Sequence, residues 1–228
     1  MLKDMFGAAG FLCGLAAFST AGLAADQAAY DWTGFFAGIQ AGYGLGTDQI
    51  NDNNVVGGLT DYRDNFPIDG FTGGVHAGVN RQFKMLVLGI EGDAEYSNVN
   101  GANPKWPFGD ATRSDSKSGI DAQGSLRLRA GVTFDRALIY ATGGLALGDV
   151  NASFYDSATA DHFSSVEAGW TVGGGLEYAI NDAWSVRAEY RYTDFEPLTG
   201  ETANTDPGWL ENDDLRVHAV RIGASYHF

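Results

Sequence analysis

Apolar and polar residues alternate strictly over residues 119–134, the clearest pattern in the chain. Every second residue from Ile120 to Phe134 is apolar or glycine, and none of the residues between them is a large hydrophobe. Successive side chains of a β-strand point to opposite faces, so the pattern predicts a strand with one apolar and one charged face. Because globular strands usually have about five or six residues, this length favours a strand with lipid on one side and a filled, polar barrel interior on the other.

Seven further segments alternate in a similar way. The connections between consecutive segments alternate between long and short. Short turns are expected at 83–85, 135–136 and 181–182, whereas the long connections are 47–69, 99–118, 151–166 and 196–213. The eight predicted strands are 33–46, 70–82, 86–98, 119–134, 137–150, 167–180, 184–195 and 214–228.

This arrangement predicts an all-β fold, an eight-stranded antiparallel up-and-down transmembrane β-barrel. Each segment reaches the roughly 9–11 residues that a tilted strand needs to cross a bilayer, and eight strands leave an interior that side chains just fill. The even strand number places both termini on the side of the short turns. The fifth strand is apolar on both faces, so its inward side is not assigned. The alternative is a soluble β-sandwich with an aromatic core.

The N-terminal segment has the features of an export signal. Lys3 precedes an apolar run over 5–18, and Gly22-Leu23-Ala24 forms a small-x-small cleavage pattern. We predict a signal peptide over 1–24, a short periplasmic lead over 25–32 and the barrel over 33–228. The single cysteine, Cys13, lies within the predicted signal in a poor lipobox, so no disulfide or thiol chemistry is expected.

Aromatic residues fall near both predicted ends of the apolar band, where amphipathic rings favour the headgroup level. The predicted girdle on the short-turn side contains Phe35, Phe134, Tyr140, Tyr178, Trp184, Tyr226 and Phe228. The predicted girdle on the other side contains Tyr43, Phe71, Tyr96, Trp170 and Tyr192.

The predicted inward faces carry charges of both signs on neighbouring strands. A charge in a narrow lumen of low dielectric constant has to be paired, because an isolated buried charge is costly. This predicted lumen network is either a structural plug, which we favour, or a conductance gate resembling the charge rings of channels. Its members are Glu91, Asp93, Glu95, Arg127, Arg129, Glu177, Arg187, Glu189, Arg191 and Arg221.

The last strand ends in a pattern typical of the signal that the outer-membrane barrel-assembly machinery reads. Counting back from the terminal Phe228, the alternate residues are apolar; Val220, Ile222, Tyr226 and Phe228 are the predicted signal residues.

At this point the chain resembles the OmpA-like, porin-family outer-membrane β-barrel proteins of Gram-negative bacteria, in particular their short surface-antigen group. The resemblance covers the predicted mature chain and is carried by residues 32–38, 42–44, 89–93, 140–144, 173–178 and the terminal strand. It implies location in the cell outer membrane, surface exposure, a role in membrane integrity and, in some members, adhesion or haem binding. It implies no catalytic site, and the peptidoglycan-binding domain of longer members is not expected.

Charge and motifs narrow the remaining function classes. The formal net charge of −15 argues against a nucleic-acid partner, and no His-Glu-x-x-His, Walker or dinucleotide fingerprint occurs. We therefore predict no enzyme and no cofactor; a lipid-modifying enzyme, a narrow porin and a haem or metal role for His76 or His162 remain alternatives. The expected partners are outer-membrane lipids, lipopolysaccharide with bridging divalent cations, and host or surface ligands of the acidic loops.

Overall fold

The computed structural model describes residues 30–53, 62–103, 113–156, 159–196, 198–201 and 210–228. Eight long β-strands form the fold, and a ninth, β8, has four residues. The strands are β1 (Gly34–Asn53), β2 (Tyr62–Phe83), β3 (Leu86–Asn103), β4 (Arg113–Phe134), β5 (Ala137–Asp156), β6 (Thr159–Ala179), β7 (Trp184–Phe195), β8 (Leu198–Glu201) and β9 (Leu210–His227). The predicted signal peptide, 1–24, lies outside the described residues and stays a prediction.

The eight long strands close into one antiparallel barrel. Each of β1–β6 pairs with the next, while β9 pairs with both β7 and β1, so every long strand has a paired neighbour on each side. The short strand β8 pairs only with Leu210–Asp213 of β9. Lys84 and Asp135 have positive φ in tight turns between paired strands, which confirms two of the predicted short connections. The prediction of an eight-stranded barrel is confirmed.

Strand lengths differ from the prediction at the end opposite to the short turns. Only β7 has the predicted bounds, and the other long strands extend into the segments predicted as long loops, 47–69, 99–118, 151–166 and 196–213. The prediction of a loop over 151–166 was wrong for most of that segment, because the pairing of β5 with β6 continues to Asp156 and Thr159. The alternation of apolar residues on the outward face ends where the strands leave the lipid. The strands remain paired beyond that point, but the sequence pattern does not indicate it.

The added strand length forms a collar, defined as residues 47–53, 62–69, 97–103, 113–121, 149–156, 159–167 and 210–217. Among the residues whose side chains the structure describes, the buried inward positions are mainly apolar, with Asp48, Ser97 and Ser118 as polar exceptions, and the outward face carries polar groups such as Asp69, Asp121 and Ser164. Below the collar the polarity is reversed, with exposed Ile, Leu, Val and aromatic side chains outside and charged side chains inside. The apolar cluster of the collar contains Ile68, Val99, Ile120, Val150, Leu215 and Val217, joined by Ala146 and Phe195 just below it.

A β-bulge in β4 marks this reversal. Ile120 pairs with Val150 and Ala122 pairs with Asp149, so Asp121 is an extra residue on β4. The bulge places Ile120 inside, 2% exposed, whereas strict alternation predicted it on the outward apolar face. A local shift by one residue exchanges the two faces of a strand, and this one brings an isoleucine into the collar core.

The segment before β1 closes the end of the barrel that carries the short turns. Trp32 is 1% exposed and packs edge-on against Tyr30 and His227, with ring centroids 4.8 and 5.5 Å away. The Trp32 amide donates to Gln82 Oε1 at 2.8 Å. The Thr33 amide donates to Asp31 at 2.9 Å, which lowers the pKa of the Asp31 carboxyl. The end of the predicted lead is thus part of the folded barrel.

Burial settles which face of β5 points inward, an assignment that the sequence left open. Leu138, Tyr140 and Val150 show that the inward face of β5 consists of even-numbered residues. Tyr140 is therefore inside the barrel, and its predicted place in the aromatic girdle is wrong. It belongs to a second apolar cluster with Tyr30, Trp32, Val87, Leu138 and Ala179.

The bulge gives a test of the reversed collar. We expect Ile120→Asn to lower the yield of folded barrel, because a polar side chain would replace an apolar one in the core of the collar. The measurement is the fraction of refolded protein whose migration on a detergent gel shifts on boiling. Asp121→Asn changes the neighbouring residue, which is exposed, and should refold like the wild type; equal yields for Ile120→Asn and this control would contradict the assignment.

Candidate functional site

The predicted charge network lies in the middle of the lumen, between the two apolar clusters. All ten side chains are at most 5% exposed. Five are carboxylates and five are guanidinium groups, so the charges balance. Burial of ions is tolerated only where charges are paired and hydrogen-bonded. The members are Glu91, Asp93 and Glu95 on β3, Arg127 and Arg129 on β4, Glu177 on β6, Arg187, Glu189 and Arg191 on β7, and Arg221 on β9.

Glu91 is the centre of this network. Its carboxylate accepts a hydrogen bond from Arg127 and another, at 2.7 Å, from Nη1 of Arg187. Arg129 lies 3.5 Å away on the same carboxylate. Since β3 and β7 are four positions apart in the ring of eight strands, the bond between Glu91 and Arg187 spans the lumen.

Two more bridges join β3 to the opposite side. Arg221 donates from Nε and Nη2 to the two oxygens of Glu95, at 2.9 and 2.8 Å. This is the bidentate geometry typical of strong arginine–carboxylate pairs. Arg191 likewise donates to both oxygens of Asp93, at 3.2 and 2.9 Å. Every acidic residue predicted on β3 therefore contacts an arginine from β7 or β9.

The network continues toward the end with the short turns. Arg127 donates to Glu189 at 2.8 Å, and the Tyr140 hydroxyl donates to the same carboxylate at 3.1 Å. Arg129 pairs with Glu177 and stacks on the Tyr140 ring, 3.9 Å from its centroid. Ser185 and His227 lie beside Glu177.

Sequence alternation found the charges but only part of their partners. Alternation places Arg127 and Arg129 on the strand next to Glu91, Asp93 and Glu95, which makes these carboxylates the expected partners of the two arginines. Arg127 does contact Glu91 and Asp93, but Glu95 pairs with Arg221 and the main partner of Arg129 is Glu177. The sequence does not indicate which groups meet across a closed barrel.

Several neutral members of the site were missed. Gln40 accepts a hydrogen bond from Arg187 and donates to Glu95 at 2.6 Å. Gln123 donates to Glu95 at 2.8 Å, and Ser125 to Asp93 at 2.6 Å. Their inward position on polar faces was the available signal. Gly144 shows the crowding around them, since a Cβ there would lie 2.7 Å from Cα of Arg127.

The histidines proposed as alternative ligand sites have protein partners. His76 is buried and its Nε2 lies 2.8 Å from Oγ of Ser225. His162 is exposed, with Nδ1 2.9 Å from Oγ of Ser153. Within the described ranges, no group of three or more His, Cys, Asp or Glu side chains could hold a metal ion.

The predicted assembly-signal residues lie together on the outside of β9 and at the chain end. Val220, Ile222, Tyr226 and Phe228 are all exposed, and the Phe228 amide donates to the carbonyl of Phe35 at 3.0 Å. They form part of the apolar belt. Their use as a signal stays a prediction.

Substitution of Glu91 tests the network most directly, because its carboxylate contacts arginines on both the neighbouring strand and the opposite wall. We expect Glu91→Gln to lower the free energy of unfolding by about 3–5 kcal/mol, since removing one partner leaves buried charge uncompensated. Urea unfolding in lipid vesicles measures this loss. Glu196→Gln, at an exposed position directly after β7, removes the same charge and should change stability by about 0.5 kcal/mol or less. Equal urea midpoints for the two variants would exclude a stabilising role of the network.

Comparisons with known proteins agree with this geometry. The family profile of the outer membrane protein beta-barrel domain matches residues 13–228. The 31 kDa outer-membrane immunogenic protein of Brucella melitensis is 37% identical over 218 residues, covering 90% of this chain and 87% of that protein. The 25 kDa outer-membrane immunogenic protein of Brucella canis is 30% identical over 199 residues, covering 87% and 80%.

Among solved structures, the outer membrane protease OmpT of Escherichia coli is similar with a TM-score of 0.53 and 10% sequence identity, covering 89% of this chain and 99% of that one. At this identity the likeness shows the fold alone. In the described part of the chain, no helix is long and apolar enough to cross a bilayer. With its closed barrel, apolar belt and matched profile, the chain belongs to the family of outer-membrane β-barrel proteins and is a protein of the bacterial outer membrane.

Proposed function

We propose that this protein is a sealed structural barrel that contributes to the integrity of the outer membrane and presents its collar at the cell surface. The observation that carries the proposal is the filling of the lumen in three layers. The apolar cluster around Trp32 lies at the periplasmic end, the balanced charge network lies in the middle, and the apolar cluster around Ile120 lies at the outer end.

The layered lumen favours a plug over a narrow porin. A pore needs a continuous hydrated path, whereas apolar side chains cross the described lumen above and below the charges. The guanidinium and carboxylate groups also satisfy each other, at distances such as 2.7 Å between Arg187 and Glu91. They hold the walls together and are not free to bind passing ions.

The proposed role is not enzymatic. The carboxylates that could act as acids or bases are buried and accept hydrogen bonds from arginines. A protease is among the proteins with a similar fold, but a fold hosts many functions and supports no activity by itself.

The proposed partners follow from the surface. The apolar belt faces membrane lipids, and the C-terminal residues from Val220 to Phe228 are proposed to be read by the barrel-assembly machinery. Exposed side chains of the collar, such as Asp121 and Ser164, are proposed to contact host or surface ligands. The relatives named as immunogenic outer-membrane proteins support exposure at the surface.

Conductance tests the sealed lumen. We expect the wild-type protein in planar bilayers to show no stable openings. Trp32→Ala should also stay closed, because the charge layer and the outer apolar cluster remain. Stable, ion-selective openings of the wild type that Arg127→Ala abolishes would contradict the plug and establish a porin.

Cysteine labelling tests the position of the collar. We expect Ser164→Cys to react with a membrane-impermeant maleimide on intact cells, because Ser164 is exposed on the collar. Lys84→Cys, in the turn between β2 and β3, should react only after the outer membrane is permeabilised. Leu128→Cys, in the lipid-facing belt, controls for accessibility and should stay unlabelled. Labelling of Lys84→Cys on intact cells would reverse the proposed orientation.

A further inference from the structure

The collar part of β6 has an unpaired edge. β6 begins at Thr159, but its pairing with β7 covers only Gly169–Ala179, because β7 ends at Phe195. On its other side β6 stays paired with β5 throughout the collar. The short strand β8 follows β7 in the chain and pairs with β9, and no strand in the described ranges pairs with 159–168 on the side away from β5. We call this side of residues 159–168 the open edge.

The backbone groups that point to the open edge can be identified from the last hydrogen bond below it. In an antiparallel sheet the N–H and C=O of one residue point to the same neighbouring strand, and consecutive residues point to opposite sides. The Glu196 amide donates to the carbonyl of Ala168 at 2.7 Å, so Ala168 points toward the side of β7. Val166 and Ser164 have the same orientation, and each presents both a donor and an acceptor along the open edge.

The open edge lacks the features that protect most strand edges from other chains. Lysine, proline and β-bulges commonly prevent pairing with a foreign strand. Residues 159–168 contain neither lysine nor proline, and their register with β5 runs without a bulge. A regular edge of this kind is a template on which an extended segment can add as a further strand.

Both faces beside the open edge are accessible. On the outward face Val166 is 67% exposed and Ala168 is exposed as well. On the inward face Ser165 is exposed and Glu167 is partly exposed, whereas inward residues further down β6, such as Thr171, are buried. An added strand would therefore meet apolar side chains on its outward face and an acidic side chain on its inward face.

We infer that the open edge binds an extended segment of a partner protein in which apolar and basic residues alternate. The segment would form backbone hydrogen bonds with Val166 and Ser164, the mode known as β-augmentation. Its apolar side chains would pack beside Val166 on the outward face, and a basic side chain would face Glu167 on the inward face. The formal net charge of −15 favours a basic partner over an acidic one.

A second copy of this chain fits the open edge less well. Two copies in one membrane have the same orientation, so their β6 strands would run parallel, a pairing that is slightly less stable per residue. Each copy would also bring its own Glu167 and its net charge of −15 to the contact, and like charges oppose association. The partner segment is therefore expected to come from a different protein.

The inference rests on the proposed role of the collar as the face for surface ligands, and it gives that role a site and a class of partner. The two can fail separately. Absence of labelling of Ser164→Cys on intact cells would refute the surface role, and with it the inference. Labelling of Ser164→Cys without strand binding at the open edge would refute the inference alone.

Fluorescence anisotropy of a short labelled peptide of alternating valine and lysine, added to the detergent-purified full chain, tests the open edge. We expect Val166→Pro to weaken binding of this peptide about tenfold, because proline removes the N–H that points to the added strand. The bonds of β6 to β5 remain, and proline is tolerated where its position faces away from a ladder. Val166→Thr keeps the shape and the N–H and should bind within about twofold of the wild type.

Charge reversal tests the inward face. We expect Glu167→Lys to weaken binding of the valine–lysine peptide about fivefold, as for a partly exposed ion pair, and to improve binding of a valine–glutamate peptide. Asp121→Lys makes the same change of charge on β4, at an exposed position of the collar, and should change binding of either peptide by less than about twofold. Equal effects of the two substitutions would show attraction by net charge alone and would overturn the inference.

The backbone of the peptide supplies a test that needs no variant of the protein. A valine–lysine peptide with N-methyl groups on alternate residues keeps its charge but loses the donors of one edge, and it should bind the wild type about tenfold more weakly. Equal binding of both peptides, or equal binding by the wild type and a Val166→Pro barrel whose gel shift shows that it is folded, would overturn the inference. So would a cross-linked dimer of the wild type that Val166→Pro abolishes, because the second copy would then occupy the open edge.

Discussion

The compensation of buried charge in the lumen is the constraint on which the rest of the barrel depends. Glu91 contacts Arg127 on the neighbouring strand and Arg187 on the opposite wall, so one carboxylate joins adjacent strands and also connects opposite sides of the barrel. Five carboxylates and five guanidinium groups balance, and each needs its partners because the interior offers little solvation. The arginine side chains are long enough to span a lumen of eight strands, which explains why a filled interior and a polar interior coexist here.

The barrel is a single sheet with two parts, one with the polarity expected in a lipid bilayer and one with the polarity expected in water. In the bilayer its outer face is apolar and its lumen is charged, whereas in the collar the outer face is polar and the lumen holds Ile68, Val99 and Leu215. The collar thus has the polarity of a water-soluble barrel and can stand above the membrane without lipid. The bulge at Asp121 adjusts β4 to this change by one residue.

Apolar clusters lie on both sides of the charge network. At the end with the short turns, the segment before the first strand takes part in the packing, because Trp32 packs against His227 near the end of the last strand. The two ends of the chain are thereby joined where β1 and β9 close the barrel. The outer surface then has two parts, a mainly polar face on the collar and an apolar belt below it.

The sequence by itself determined the number of strands, their direction, the short turns and which residues of most strands face inward, since these follow from alternation and from the spacing of turns. It also identified all ten charged residues that the structure places in the lumen. Tertiary structure decided what alternation cannot express: the inward position of Tyr140, the bulge that turns Ile120 inside, the length of the collar and the pairing of Glu95 with Arg221. A period of two residues records which side of a wall a residue occupies, whereas the partner across the lumen depends on closure of the sheet and on the stagger of its strands.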